Sequence, residues 1–162
     1  MSPIRLIPVV LAVLASPAAW SAEPSGVGYP AGYRDWTHVK SLILESGHPL
    51  YESFGGIHHI YANAKAMRGY RDGRFADGSV IVFDLLEVKK EGNAIAEGPR
   101  KVLGVMQKDA RRYKTTGGWG FEGFAGGDKS RRVVGDQAAS ACYGCHAEQA
   151  GKTGYVFSAW RE

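Results

Sequence analysis

A strand-rich α+β fold with a helix near the C-terminus is what this sequence predicts, and three observations carry that expectation. Gly accounts for 22 of the 162 residues, which argues for many turns and against a helix bundle. The run from Ser79 to Val88 is apolar on both faces, through Val80, Ile81, Val82, Phe83, Leu85 and Leu86. That is the pattern of a strand buried on both sides. Asp136 then stands as the expected cap of a helix from Gln137 to about Gln149. The length suits one domain.

The first residues read as a signal peptide, 1–22, leaving 23–162 as a single domain. Arg5 lies in a short n-region, Leu6 to about Ala15 is apolar, Pro17 breaks the run, and small residues follow. Cleavage after Ser21 leaves Ala19 at the −3 position, whereas cleavage after Ala22 places the bulkier Trp20 there. Both sites remain open. The apolar run is short for a membrane span and no second one follows, so the mature chain is expected to be exported, periplasmic and without a span.

Residues 23–32 read as an irregular lead-in, and Tyr33 to about Leu44 as a helical turn running into a strand. Gly47-His48-Pro49 reads as a turn. Gly56 to Ala62 reads as a strand, and Asn63 as the N-cap of a helix from Ala64 to Tyr70. Arg71-Asp72-Gly73 and Asp77-Gly78 are turn signals around Phe75. After the strand 79–88, Glu91 to Pro99 reads as a loop. Arg100 to Tyr113 reads as a strand with a possible bulge at Gly104. Trp119, Phe121 and Phe124, spaced by glycines, suggest one more strand.

Hydrophobic residues make up 44% and charged residues 22%, an ordinary globular balance. Removing the signal peptide lowers Lys plus Arg from 20 to 19 against 16 acids, a mature charge of about +3. The basic residues are scattered, and Lys89-Lys90 and Arg131-Arg132 are short solvated pairs. Nucleic-acid binding has no support.

The two cysteines fall in Ala141-Cys142-Tyr143-Gly144-Cys145-His146, which contains Cys-x-x-Cys-His, the attachment signature of haem c. Two thiols at i and i+3 share a helix face and can reach two neighbouring vinyl groups. The adjacent His146 can then place its imidazole under the iron. A redox dithiol would want a βαβ surround, a zinc site a second cysteine pair, and a disulfide would not want His146. One covalent haem with its iron is therefore expected, with His146 as proximal ligand. Only 16 residues follow His146 and none is Met. Met67 and Met106 lie upstream, and Met106 sits in an apolar strand where a core role suits it. An iron with an open sixth position follows, suited to small diatomic ligands.

The chain resembles the cytochrome P-460 family. The residues that carry the likeness are Tyr33-Arg34-Asp35-Trp36, Phe75-Ala76-Asp77-Gly78-Ser79-Val80, Trp119, the haem motif, and Tyr155-Val156-Phe157. The resemblance implies a mainly antiparallel sheet with a few short helices, a homodimer, and haem on one face. In the hydroxylamine-oxidising members a lysine on the strand after the Asp-Gly turn is cross-linked to the porphyrin. Phe83 stands at that position here, and Lys89 and Lys90 lie beyond the strand. The chain is thus similar to the cytochrome c′-β branch, in which two phenylalanines cap the distal haem face. Phe54 and Phe83 match those positions.

An apolar cap offers a bound ligand no hydrogen bond and penalises polar species such as hydroxylamine. Nitric oxide tolerates it. Binding, buffering or sensing of nitric oxide is the function expected. Oxidation of hydroxylamine or nitric oxide is the alternative, with electrons leaving to a partner cytochrome. Simple electron transfer through Met106 is a third. His58 and His59 are adjacent, so on a strand they point to opposite faces: one could approach the haem, with His58 sharing strand parity with Phe54, but the favoured reading is one at the surface and the other in the core or a dimer contact. His38 and His48 are expected to be structural. Arg111, Arg112 and Lys114 are candidates for pairing with the haem propionates, and Glu122 is either a pocket carboxylate or solvated.

Overall fold

The computed structural model describes residues 26–161, so the expected signal peptide lies outside the described residues. Five strands form one antiparallel sheet in sequence order: β1 (Thr37–Leu44), β2 (Gly56–Ala62), β3 (Val80–Glu91), β4 (Ala94–Lys108) and β5 (Trp119–Ala125). Three short helices punctuate it: α1 (Tyr51–Phe54) and α2 (Ala64–Asp72) flank β2, and α3 (Gly144–Ala150) follows β5. The expected α+β class and the C-terminal helix are therefore both present.

Because strand side chains alternate, β3 serves two cores. One face carries Ile60, Ala62, Ile81, Trp119 and Phe121, covered by Ala66 and Met67 of α2 and by Val156. The other carries Val82, Leu103, Val105 and Phe124, covered by Val27 of the lead-in and Tyr33 of the helical turn that follows it. Asn63 caps α2 as expected: its side chain accepts the Ala66 N–H at 2.9 Å, and the helix runs to Asp72 before Gly73 turns left-handed.

Four expectations need correction, the first being that the strand expected to run to Tyr113 ends at Lys108. The predicted loop 91–99 is instead the far end of a long hairpin. Gly92 (φ 54°) and Asn93 (φ 63°) form a two-residue turn, and β4 starts at Ala94. Pro99 has no N–H to give, and it falls where the β3–β4 register slips around Leu86, between the Leu86↔Arg100 and Val88↔Glu97 pairs. Gly104 is not a bulge, because it pairs in register with Phe83 on one side and Gly123 on the other. The C-terminal helix does not start as one α-helix at Gln137 under an Asp136 cap. A 3-10 turn (Gly135–Gln137) and a wide π-helical stretch (Ala138–Tyr143) precede α3, with no side-chain cap.

A buried carboxylate fastens the lead-in to the sheet. Asp84 in β3 is fully buried and accepts the Tyr33 hydroxyl at 2.6 Å and Arg100 Nε at 2.5 Å. Burial, reinforced by Asp84, pushes the Tyr33 hydroxyl up to about 12. Burial does the same to Tyr70, also to about 12, while its bond to Ser158 opposes the shift. Unfolded tyrosines ionise near 10. Their contribution is present in full below pH 10 and is lost as pH rises to 12, on the order of 2 kcal/mol per tyrosine. Urea midpoints should fall steeply across that window, and the Tyr33→Phe/Tyr70→Phe double variant should flatten the fall.

Candidate haem site

The chain that leads into the cysteine motif is held to the sheet by Glu122 of β5. This carboxylate is 2% exposed. Its Oε1 accepts the backbone N–H of Gly123 (2.9 Å), Val134 (3.0 Å) and Gly135 (3.4 Å), and its Oε2 accepts Arg132 at 3.0 Å. Of the two sequence expectations for Glu122 the solvated one fails, because the carboxylate is buried and takes up backbone N–H groups and Arg132. Burial offset by several donors is how a carboxylate survives in a core.

Beyond this clamp, the two cysteines are free thiols, Cys142 half-buried and Cys145 exposed. Burial pushes the Cys142 thiol up, aided by the Glu122 charge. His146 lies in α3 with its Nδ1 at 2.8 Å from the Tyr155 carbonyl oxygen. A carbonyl can only accept, so Nδ1 carries the proton and Nε2 keeps a bare lone pair. Burial lowers the His146 pKa, with the Tyr155 bond opposing, which favours the neutral, ligating form. Phe121 and Phe157 hold the ring, with centroids at 5.0 and 4.7 Å.

Phe121, Met106 and Ile81 lie in one cross-strand rung, and the next rung on the same face is Phe83, Gly104 and Gly123. The glycines let side chains approach the sheet closely. A Cβ on Gly104 would stand 3.1 Å from the Phe83 ring, and one on Gly123 would stand 2.7 Å from Val133. Phe54, at the end of α1, meets Phe83 edge to face with centroids 6.0 Å apart. The two phenylalanines singled out from the sequence are thus in contact, and Phe83 shares the face on which His146 packs. Phe54, Val133 and Phe157 are 40, 58 and 56% exposed. They leave apolar surface of the kind that a large flat ligand covers.

The remaining candidates separate. His58 is buried, and its Nε2 meets the Phe54 carbonyl. His59 faces the other side of the sheet, bonded to Ser41 at 2.6 Å and with Nε2 lying 2.7 Å from a Glu97 carboxylate oxygen. His38 joins that surface network through Ser41, and His48 accepts the Leu50 N–H at 3.1 Å. Met67 and Met106 pack in the core. Lys89 and Lys90 are exposed near the hairpin tip, Lys90 paired with Glu45. Arg112 lines a cleft with Phe121, Asp136 and Ala138, whereas Arg111 and Lys114 do not. Sequence reasoning missed the role of Glu122. Its one signal was a carboxylate among aromatics in a strand.

The residues present fit a haem: two free thiols, a neutral histidine with one bare nitrogen, and an uncovered apolar face beside them. That combination defines a haem-binding cytochrome. The family model described as cytochrome P-460 matches residues 30–158, and the chain belongs to that family. No curated protein matches the chain.

Proposed function

We propose that the protein is a gas-binding cytochrome that takes up nitric oxide, with one haem c held by Cys142 and Cys145 and His146 Nε2 as the proximal iron ligand. Cys142 and Cys145 would hold the haem through thioethers, each thiol adding across a vinyl group with sulfur on one carbon and the hydrogen on the other. The haem supplies an iron able to bond a diatomic molecule. The chain supplies everything that decides which molecule arrives.

The observation that carries this reading is the Phe54–Phe83 pair on the sheet face that also receives His146. Two apolar rings give an entering ligand no donor and no base. Hydroxylamine, which needs its hydrogen bonds replaced, is penalised, while nitric oxide loses little. By the family resemblance, Phe83 stands where the hydroxylamine-oxidising members carry their cross-linking lysine. Lys89 and Lys90, exposed near the hairpin tip, offer no substitute. This supports the c′-β branch over the oxidase. The apolar run 6–15 supports export to the periplasm. The family resemblance supports a homodimer, and a partner cytochrome to receive electrons belongs to the oxidase alternative. Among the described residues no helix is long and apolar enough to cross a membrane.

The test is competition between the two activities. The reduced protein should take up one nitric oxide per haem. It should not oxidise hydroxylamine with an artificial electron acceptor any faster than its haem-free form. Sustained hydroxylamine turnover would overturn the reading in favour of the oxidase.

A further inference from the structure

His58 is a buried polar side chain on the face assigned to the haem, and the proposed ligand chemistry leaves it without a role. It sits in β2 between Leu42 of β1 and Leu85 of β3 and is 5% exposed. Its Nε2 donates to the carbonyl oxygen of Phe54. Its ring stands edge-on to Phe83, at 90° with centroids 4.7 Å apart. One side chain therefore touches both members of the aromatic pair, one through its backbone and the other through its ring.

Phe54 needs such a tie. Helix α1 is a single turn with no side-chain cap, and helices this short do not hold themselves together. The Phe54 ring is substantially exposed, so packing restrains it from one side only. The turn is fixed to the sheet by His58 at the Phe54 carbonyl and by Lys101, whose Nζ donates to the Gly55 carbonyl at 2.9 Å. Burial lowers the His58 pKa, with the Phe54 bond opposing, which favours the neutral ring, and the carbonyl acceptor places its proton on Nε2.

We propose that His58 is a positioning residue: it latches Phe54 against Phe83 and so sets how fast a diatomic ligand enters the pocket. This rests on the gas-binding reading given above. With the latch formed, the Phe54 ring spends most of its time over Phe83, and ligand entry waits for the turn to swing out. Loss of the latch makes opening more frequent without altering iron, thioether bonds or proximal histidine.

The experiment uses the intact haem protein and carbon monoxide as the probe, mixed with the reduced form in stopped flow. His58→Met keeps apolar bulk and removes the donor. His58→Gln keeps an amide N–H near the Nε2 position. The Met variant should associate with carbon monoxide about tenfold faster, the factor expected from one lost hydrogen bond, and the Gln variant should stay within about twofold of the parent. Phe54→Ala should also accelerate entry, and adding His58→Met to it should change nothing further, because the latch then has nothing to hold. Deuterium uptake by the amides of 54–56 should rise in His58→Met and be restored in His58→Gln, a readout that does not involve the iron. If His58→Met fails to fold, His58→Asn replaces it, being too short to reach the Phe54 carbonyl. Unchanged entry and unchanged deuterium uptake in the donor-less variant would overturn the proposal. So would a full additive effect on top of Phe54→Ala. Unchanged entry in Phe54→Ala would likewise overturn the proposal, since Phe54 would then not control entry, whereas sustained hydroxylamine turnover by the parent would overturn the gas-binding reading beneath it.

Discussion

Replacing Cys142 and Cys145 together with alanine is expected to abolish permanent haem retention. The double variant should release its haem into acidified organic solvent, whereas the parent should keep it on the denatured polypeptide. Each single variant should retain one thioether and shift the reduced haem-pyridine band, since one vinyl group then remains unsaturated. The effect is all-or-none because the two thiols are the only cysteines in the sequence. They are free in the fold and not used in a disulfide. Haem that stayed bound after extraction from the double variant would contradict covalent attachment at this motif.

The second large effect concerns Glu122. Its two oxygens accept from Arg132 and from the backbone N–H groups of Gly123, Val134 and Gly135, the last two in the segment that feeds the motif. Glu122→Ala leaves these donors in a buried place without their acceptor. Breaking a buried charge pair by removing one member costs about 3–5 kcal/mol. Because Arg132 is about a third exposed, the lower end, about 3 kcal/mol, is expected here. Glu122→Gln should lose less, because one oxygen still accepts. Urea unfolding gives the stability loss, and the fraction of chains carrying haem reports whether the clamp also presents Cys142 correctly. A loss below about 0.5 kcal/mol, the range of ordinary surface changes, would mean that the segment is fixed some other way.

How far the fold could be read from the sequence differs from strand to strand. β3 was legible because it is buried on both faces, so its apolar residues run together. β2 and the Asn63 cap were legible because β-branched residues and a capping side chain carry local signals. The first part of β4 was not. Residues 94–99 are largely exposed in a hairpin extending past the core, and a strand with no face to bury shows no alternation. The paired glycines 104 and 123 looked like interruptions. They are close-approach positions, and that depends on where Phe83 and Val133 pack, which spacing cannot express. The helix start at Asp136 failed because the chain takes a 3-10 turn and then a wide turn before α3, just after the Val134 and Gly135 N–H groups that Glu122 accepts.

The candidate site divides in the same way. The motif 142–146 is contiguous and therefore visible. Phe54 and Phe83 lie 29 residues apart in sequence, and only the family resemblance paired them. Their contact in the fold now gives that pairing a physical basis. His58 was legible only as a histidine sharing strand parity with Phe54, and its bond to the Phe54 carbonyl was not, because any residue supplies such a carbonyl. Tertiary backbone bonds of this kind leave no trace in composition or spacing.

The most direct measurement is the absorption spectrum of the oxidised and reduced protein, before and after nitric oxide is added. An open sixth position above an apolar pocket predicts a high-spin haem c spectrum that shifts on adding nitric oxide. A low-spin spectrum indifferent to nitric oxide would contradict it, since a second protein ligand would then fill the sixth position. A strongly red-shifted reduced Soret band would contradict it as well, by revealing a cross-linked porphyrin and hence the hydroxylamine-oxidising chemistry.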